Sequence, residues 1–381
     1  MRRGILLVVA LTACSMRAPL TGVGPLVGRI GTDTGLTAAA LGALTTLPLL
    51  AFAGASLFVA RLAARWGLLR TLLLALALLV TASGLRWVPG VAPLFAGTLL
   101  LGIAIAVVNV LLPALLRSRF PDRVATLTSG YVVAMGLVGS AASGLAVPLA
   151  QGVPGQWRTA LAVWAVPALL AALVLTGPAR RDRPTVRVGP RRAAPWGSVQ
   201  AWWVTAFMGL QSATFYVLLA WLPSIVTDRA GVGEVAAGWQ LSIVQGAGVV
   251  AGLLVPVLAR GVRATRRLAV GASAATTVGF GLLLLVPQVP SLAALVVGAG
   301  GGATVVLALS AISARAADVE GAAALSGMAQ SVGYALAAAG PVVMGALHAA
   351  TGSWTLPLLL AVLLSAVMVL SAAKACRDRT V

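Results

Sequence analysis

Apolar stretches of about 20 residues recur along this chain from end to end, each cut off by a short break holding Arg, Pro or Gly. A helix needs about 20 such residues to cross the hydrocarbon core of a bilayer. In that medium each backbone N–H and C=O must find its partner within the protein, which a helix provides from its own segment. Twelve runs fit this description, near residues 4–27, 36–62, 69–87, 92–116, 123–150, 157–177, 199–224, 234–259, 265–287, 291–314, 321–348 and 354–373. Only 9% of the residues are charged, where soluble domains carry about 25%. The expected fold class is therefore an all-α polytopic membrane protein of twelve transmembrane helices.

The net charge of +19 comes from 26 Arg and the single Lys374, an excess that raises the question of nucleic acid. Its distribution answers otherwise. If both termini are cytoplasmic, 22 of these cations fall on the inside, Arg29, Arg86, Arg158 and Arg229 fall outside, and Arg17 lies within a span. Such an imbalance is what positive-inside topology requires. It gives a multi-pass protein of the inner (plasma) membrane in contact with the lipid bilayer, and no nucleic-acid partner. The first residues, "MRRGILLVVALTACS", also match a secretory or lipoprotein cleavage pattern, but the repeat described next needs them as its first helix. Cys14 and Cys376 lie at opposite ends and imply no disulfide framework.

Gly35, Gly42 and Arg70 recur as Gly231, Gly238 and Arg266 at a constant offset of 196. Each triplet brackets the second helix of a six-helix half and the loop after it. The basic stretch "GPARRDRPTVRVGPRRAAPWG" falls between the halves. The domains expected are an N-terminal half over 1–178, a cytoplasmic linker over 179–197 and a C-terminal half over 198–381. Two six-helix halves in parallel repeat form the architecture of a major facilitator transporter.

Arg17 is the costliest residue in this frame. A mid-membrane Arg costs at least about 2.5–3.5 kcal/mol on insertion scales, so it faces the protein interior and has a partner there. That partner is either a helix carbonyl or a substrate. Helical spacing puts Thr21 on the same face, and Pro19 and Pro25 loosen the helix where freed backbone is tolerated only beside a cavity or in protein. Uncharged hydrogen-bonding groups sit within other spans: Asn109, Tyr131, Gln211, Tyr216, Gln245, Gln330 and Tyr334. Taken singly each could be interhelical glue. Together, with one cation and all eight acidic residues near span ends, they suit a small polar or anionic ligand. No metal cluster or nucleophilic triad is legible, so neither an enzyme nor a cofactor is expected. "GAGGGA" (298–303) matches the letters of a dinucleotide fingerprint, but no strand precedes it. It reads as a small-residue packing face.

The segments "MRAPLTGVGPLV", "LGALTTLPLLAFA", "GIAIAVVNVLLPALLRSRFPDR", "QSATFYVLLAWLP" and "MAQSVGYALAAAGPVVMGALHAATGSW", in this order, resemble the cyanate permease and 2-nitroimidazole transporter family of the major facilitator superfamily. The resemblance implies solute transport by alternating access, with Arg17, Asn109, Tyr131, Gln211, Gln245, Gln330 and Tyr334 at family-like positions. It also implies a gating loop in "ARLAARWGLLR", which keeps Arg65, Gly67 and Arg70 but has Ala64 where an Asp is usual. The expected function is a secondary active or facilitative transporter of a small anion or small polar organic solute, acting as a monomer. The alternatives are a drug/proton antiporter, which would want a buried carboxylate, and a transport-dead sensor, which would want a signalling domain.

Overall fold

The structure, a computed structural model, describes residues 2–152, 156–180, 182, 194–316 and 319–377. Residues 183–193, which hold most of the expected linker with Arg183, Arg187, Arg191 and Arg192, lie outside them, as do Arg181, Asp318 and Asp378.

The described residues are helical almost throughout, with no strand among them. The first span is two pieces, α1 (Arg2–Thr21) and α2 (Val27–Thr34), parted by a turn and a short 3-10 stretch. Then come α3 (Ala38–Trp66), α4 (Leu68–Trp87), α5 (Val91–Arg119) and α6 (Val124–Gly152). The sixth span is again two pieces, α7 (Gln156–Ala162) and α8 (Val166–Arg180). The remaining spans are single helices: α9 (Val199–Ala230), α10 (Glu234–Leu258), α11 (Val262–Leu285), α12 (Pro290–Arg315), α13 (Val319–Thr351) and α14 (Thr355–Ala375). Twelve of the described segments are long and apolar enough to cross a membrane, as the apolar runs predict.

Two compact units divide the chain. One comprises residues 1–34 and 47–189, the other residues 35–46 and 190–381. In the first, α1 packs on α6 and α8, and α4 on α5 and α8. In the second, α9 packs on α13, α12 on α10 and α11, and α14 on α11 and α9.

Helices in lipid gain little from hydrophobicity between themselves, so close backbone approach through small residues does much of the packing. The "GAGGGA" run lies inside α12. A Cβ at Gly298 or Gly302 would collide with the carbonyl of Val244 or Gly248 on α10, and one at Gly300 would stand 2.6 Å from the Ala272 carbonyl of α11. Three small residues thus seat α12 against two neighbours. The run is a packing face.

The internal repeat is visible in three dimensions. Gly35 and Gly231, one repeat apart, both take a left-handed conformation (φ 68° and 66°) at the end of the first span of their halves. Trp157 donates its indole N–H to Asp33 at 3.2 Å, and Trp354 donates to Asp228 at 2.7 Å. In each half, then, a carboxylate at the end of the first span is tied to a tryptophan at the start of the sixth.

Candidate functional site

The interruption of the first span follows from its prolines. Gly22 N–H reaches Ala18 O at 3.1 Å as in a helix, but Val23 N–H turns to Leu20 O at 3.3 Å, one residue short of its α-helical partner Pro19. Pro25 has no N–H to offer Thr21 O. Two carbonyls are thereby exposed in a segment that buries residues 21–27 completely or nearly so. A buried carbonyl must be paired, and side chains from two other helices supply the donors. Arg86 Nη1 of α4 donates to Pro19 O at 3.0 Å, and Ser143 Oγ of α6 donates to Thr21 O at 3.1 Å. Thr21 Oγ1 in turn donates to Gly139 O at 2.9 Å.

These contacts place the predicted residues of the first unit. Arg17 lies on α1, half-buried, one turn ahead of the break. Thr21 shares its face but is fully buried, with its hydroxyl used on α6. Tyr131 is half-buried on α6, two turns before Gly139, and Asn109 is exposed on α5. Arg86 stands differently from its place in the charge count. Read there as an outer-loop cation, it is 4% exposed in the last turn of α4, with its Nε lacking a partner among the described residues.

In the second unit the predicted residues gather along α9 and α13. These helices cross where Gly209 meets Gly333: a Cβ on Gly209 would stand 3.1 Å from the Gly333 Cα. Gln211 lies just past that point on α9, and Gln330 and Tyr334 flank it on α13. Gln211 is buried. Its Nε2 donates to Ser212 Oγ at 2.7 Å and Met208 O at 3.1 Å. Gln330 Nε2 donates to Ser326 Oγ at 2.7 Å. Tyr334 is half-buried against the core that contains Phe207, Met208 and Met328. Tyr216 is half-buried and meets Phe215 edge-on at 5.2 Å. Gln245 is buried on α10, one residue past Val244, which faces Gly298. Ser212 and Thr214, also buried on α9, extend this polar strip. Sequence gave no reason to single them out, since Ser and Thr are common in membrane helices.

The residues of the expected gating loop tie helix ends within one unit. Arg70 donates from Nε to Ala179 O at 3.0 Å and from Nη2 to Arg180 O at 3.1 Å, so it caps the C-terminus of α8. Arg266, its repeat partner, donates to Ala373 O of α14 at 3.0 Å. Gln200 and Arg315 reach the carbonyls of Lys374, Ala375 and Cys376. The last four carbonyls of a helix have no internal donors, and here side chains provide them. Burial pushes the Cys376 thiol above its usual range, and Arg315 and Arg266 partly oppose that shift. Gly67 begins α4, and Asp182 Oδ2 accepts Leu69 N–H at 2.7 Å. Arg65 is exposed.

The sequence profile of the Major Facilitator Superfamily matches residues 5–338. The chain belongs to that superfamily. It is 40% identical over 377 residues to the 2-nitroimidazole transporter of Escherichia coli, covering 98% of this chain and 95% of the relative. An uncharacterized Bacillus subtilis transporter, YycB, is 38% identical over 376 residues, covering 97% and 93%. Among solved structures, a bacterial homolog of the human lysosomal transporter Spinster superposes with a TM-score of 0.79 at 13% identity, over 98% of this chain and 97% of that one. This major facilitator protein is thus a multi-pass inner-membrane transporter, with a small-molecule substrate and lipid as its partners, and not an enzyme.

Proposed function

We propose that this transporter moves a small anion or small polar organic solute by alternating access, with Arg17 as the substrate cation. The supporting observation is the place of Arg17: a half-buried cation at mid-span, one turn ahead of the break in the first span. Asn109, Tyr131, Gln211, Tyr216, Gln245, Gln330 and Tyr334 supply further hydrogen bonds. Thr21, on the same face of α1, adds its hydroxyl oxygen as an acceptor while its proton is held by Gly139 O of α6. The halves are residues 1–178 and 198–381, the linker is cytoplasmic along with both termini, Arg65, Gly67 and Arg70 serve the gate, and one copy suffices. The name of the E. coli relative makes 2-nitroimidazole the first probe, with nitrate and cyanate as small anions beside it.

Purified protein in liposomes under a potassium-diffusion potential tests this reading. Arg17→Gln is expected to insert and fold yet lose transport, and Arg17→Lys to rescue only partly, because lysine lacks the planar fork that grips an anion. Normal transport by Arg17→Gln would end the proposal. Driving an anion inward against an interior-negative potential costs about 2.3 kcal/mol per 100 mV. Anion efflux should therefore quicken as the inside is made negative, exchange should need solute on both sides, and a neutral solute should ignore the voltage.

A further inference from the structure

We infer that Arg86 is a positioning residue for transport: through the Pro19 carbonyl it fixes the turn of α1 that carries Arg17, and so sets the affinity for solute. The inference rests on the reading of Arg17 as the substrate cation. Pro19 lies only two residues beyond Arg17, so a bond to its carbonyl constrains the rotation of that same turn. The bond runs from α4, a helix otherwise packed on α5 and α8, which anchors the break to the body of the unit. A seryl hydroxyl would have satisfied the carbonyl at far lower desolvation cost, as Ser143 does for Thr21 on the α6 side. A planar guanidinium on a long stem instead reaches across from the end of a neighbouring helix. The approach is held tightly. A Cβ on Gly97 of α5 would stand 2.7 Å from Arg86 Cγ and 3.0 Å from its backbone N. The base of the stem thus lies close against α5, and its head reaches Pro19 O of α1.

Together the three bonds clamp residues 19–21 from two sides. Removing the Arg86 arm leaves Ser143 and Gly139 holding Thr21, which keeps the fold but frees the turn around Pro19 to rotate. Hydrogen bonds to charged groups contribute about 1.5–3 kcal/mol, so loss of this one should shift the local opening of the break by roughly ten- to a hundredfold. A neutral residue at position 86 is therefore expected to weaken solute binding while sparing the later steps of the cycle.

Two measurements test the inference on the full-length protein. The first needs no solute. With Cys14→Ser and Cys376→Ala as background, Val23→Cys puts a thiol at a position that is 3% exposed inside the break. Its reaction with a maleimide should be at least about tenfold faster in Arg86→Met than with Arg86 present, while Arg86→Lys stays near the parent. An unchanged rate in folded Arg86→Met overturns the tether. The second uses 2-nitroimidazole uptake into liposomes. Arg86→Met should raise KM about tenfold with the maximal rate changed far less, and Arg86→Lys should recover most of the loss. Equal falls in maximal rate with KM unmoved would mean a merely structural arginine. Should Arg86→Met fail to fold, Arg86→Gln, which offers a neutral donor on a shorter stem, takes its place under the same criteria. The outcomes separate the two readings. Normal transport by Arg17→Gln ends the proposed function whatever the maleimide reports, whereas transport lost in Arg17→Gln with KM unmoved in Arg86→Met ends this inference alone.

Discussion

Replacing Gly67 with alanine should destabilise the protein through two effects that a double-mutant cycle can separate. Gly67 opens α4 with φ 93° and ψ 155°, a region that side-chain-bearing residues enter at a cost of about 1–3 kcal/mol. Its new Cβ would also stand 2.5 Å from Asp182 Oδ2 and 3.1 Å from Asp182 Cγ. That same Oδ2 accepts Leu69 N–H at 2.7 Å, so the methyl group displaces the carboxylate that caps the helix, a loss of about 0.5–2 kcal/mol. The full cost of Gly67→Ala is then about 1.5–5 kcal/mol. Asp182→Ala alone should cost only the cap. In the Asp182→Ala background the alanine at 67 has no carboxylate to displace, and its cost falls to the backbone part. The two changes should therefore couple by about 0.5–2 kcal/mol, well beyond the ~0.5 kcal/mol scatter of independent sites. Unfolding of the purified protein by dodecyl sulfate titration in mild detergent, followed by tryptophan fluorescence, reads all four corners of the cycle. Strict additivity would refute the displacement, and a Gly67→Ala protein as stable as the parent would refute the backbone cost as well.

Two further changes probe the frame. Gly302→Leu should prevent folding or cost more than about 3 kcal/mol, because even a Cβ there collides with the Gly248 carbonyl and overpacking a tight seam costs about 1–3 kcal/mol before the rest of the side chain is added; Gly301→Leu, with open space at its Cβ, is the control in the same thermal-stability assay. Asp228→Asn should weaken the tie to Trp354 and the stack of His348 on that ring, which lies 4.0 Å away at 9°, and lower the unfolding temperature. Asp33→Asn should do the same in the first unit, where Arg158 also pairs with the carboxylate at 2.7 Å; loss of that half-exposed pair is worth no more than about 1 kcal/mol, so a much larger drop would show that the tryptophan bond dominates.

The spans were legible because a bilayer imposes one length and one backbone solution, and a run of apolar residues between breakers satisfies both. The duplication was legible from three residues at one offset, Gly35, Gly42 and Arg70, and two of them turn out to do the same work in both halves. What pairs with what was not legible. Thr21 shares a helix face with Arg17 by spacing, but a face is wide, and at that level α6 occupies it and takes the hydroxyl. Arg86 ends an apolar run ahead of a Pro-Gly loop, so it carries the signature of a topology-setting cation; that its guanidinium folds back onto Pro19 depends on which helix lies beside α4. Pro25 did foretell a freed carbonyl at Thr21, since its missing N–H is a local fact. The donor, Ser143, comes from more than a hundred residues away and left no sign. The break between α7 and α8 had no clear signal either, because a short 3-10 stretch at residues 163–165 changes no composition.

The two units keep the same frame and differ in what they enclose. The ties that recur are Asp33 with Trp157 and Asp228 with Trp354, side chain to side chain between helix ends, and Arg70 on α8 and Arg266 on α14, which satisfy terminal carbonyl groups. Those groups must be paired in each half whatever the protein carries, so nothing favours their divergence. Mid-span positions are under no such demand. The first unit holds a cation there, Arg17, while the described arginines of the second sit at helix ends, as with Arg229 on Leu284 O and Arg315 on Cys376 O. A second mid-span cation would add at least about 2.5–3.5 kcal/mol of insertion cost. The second unit instead lines α9, α10 and α13 with amides, hydroxyls and phenols, which donate or accept as the solute requires. On the proposed reading, Arg17 therefore supplies charge recognition, and altering Gln211, Gln245 or Gln330 in this chain should change its preference among solutes of like charge while leaving Arg17 and its clamp in place.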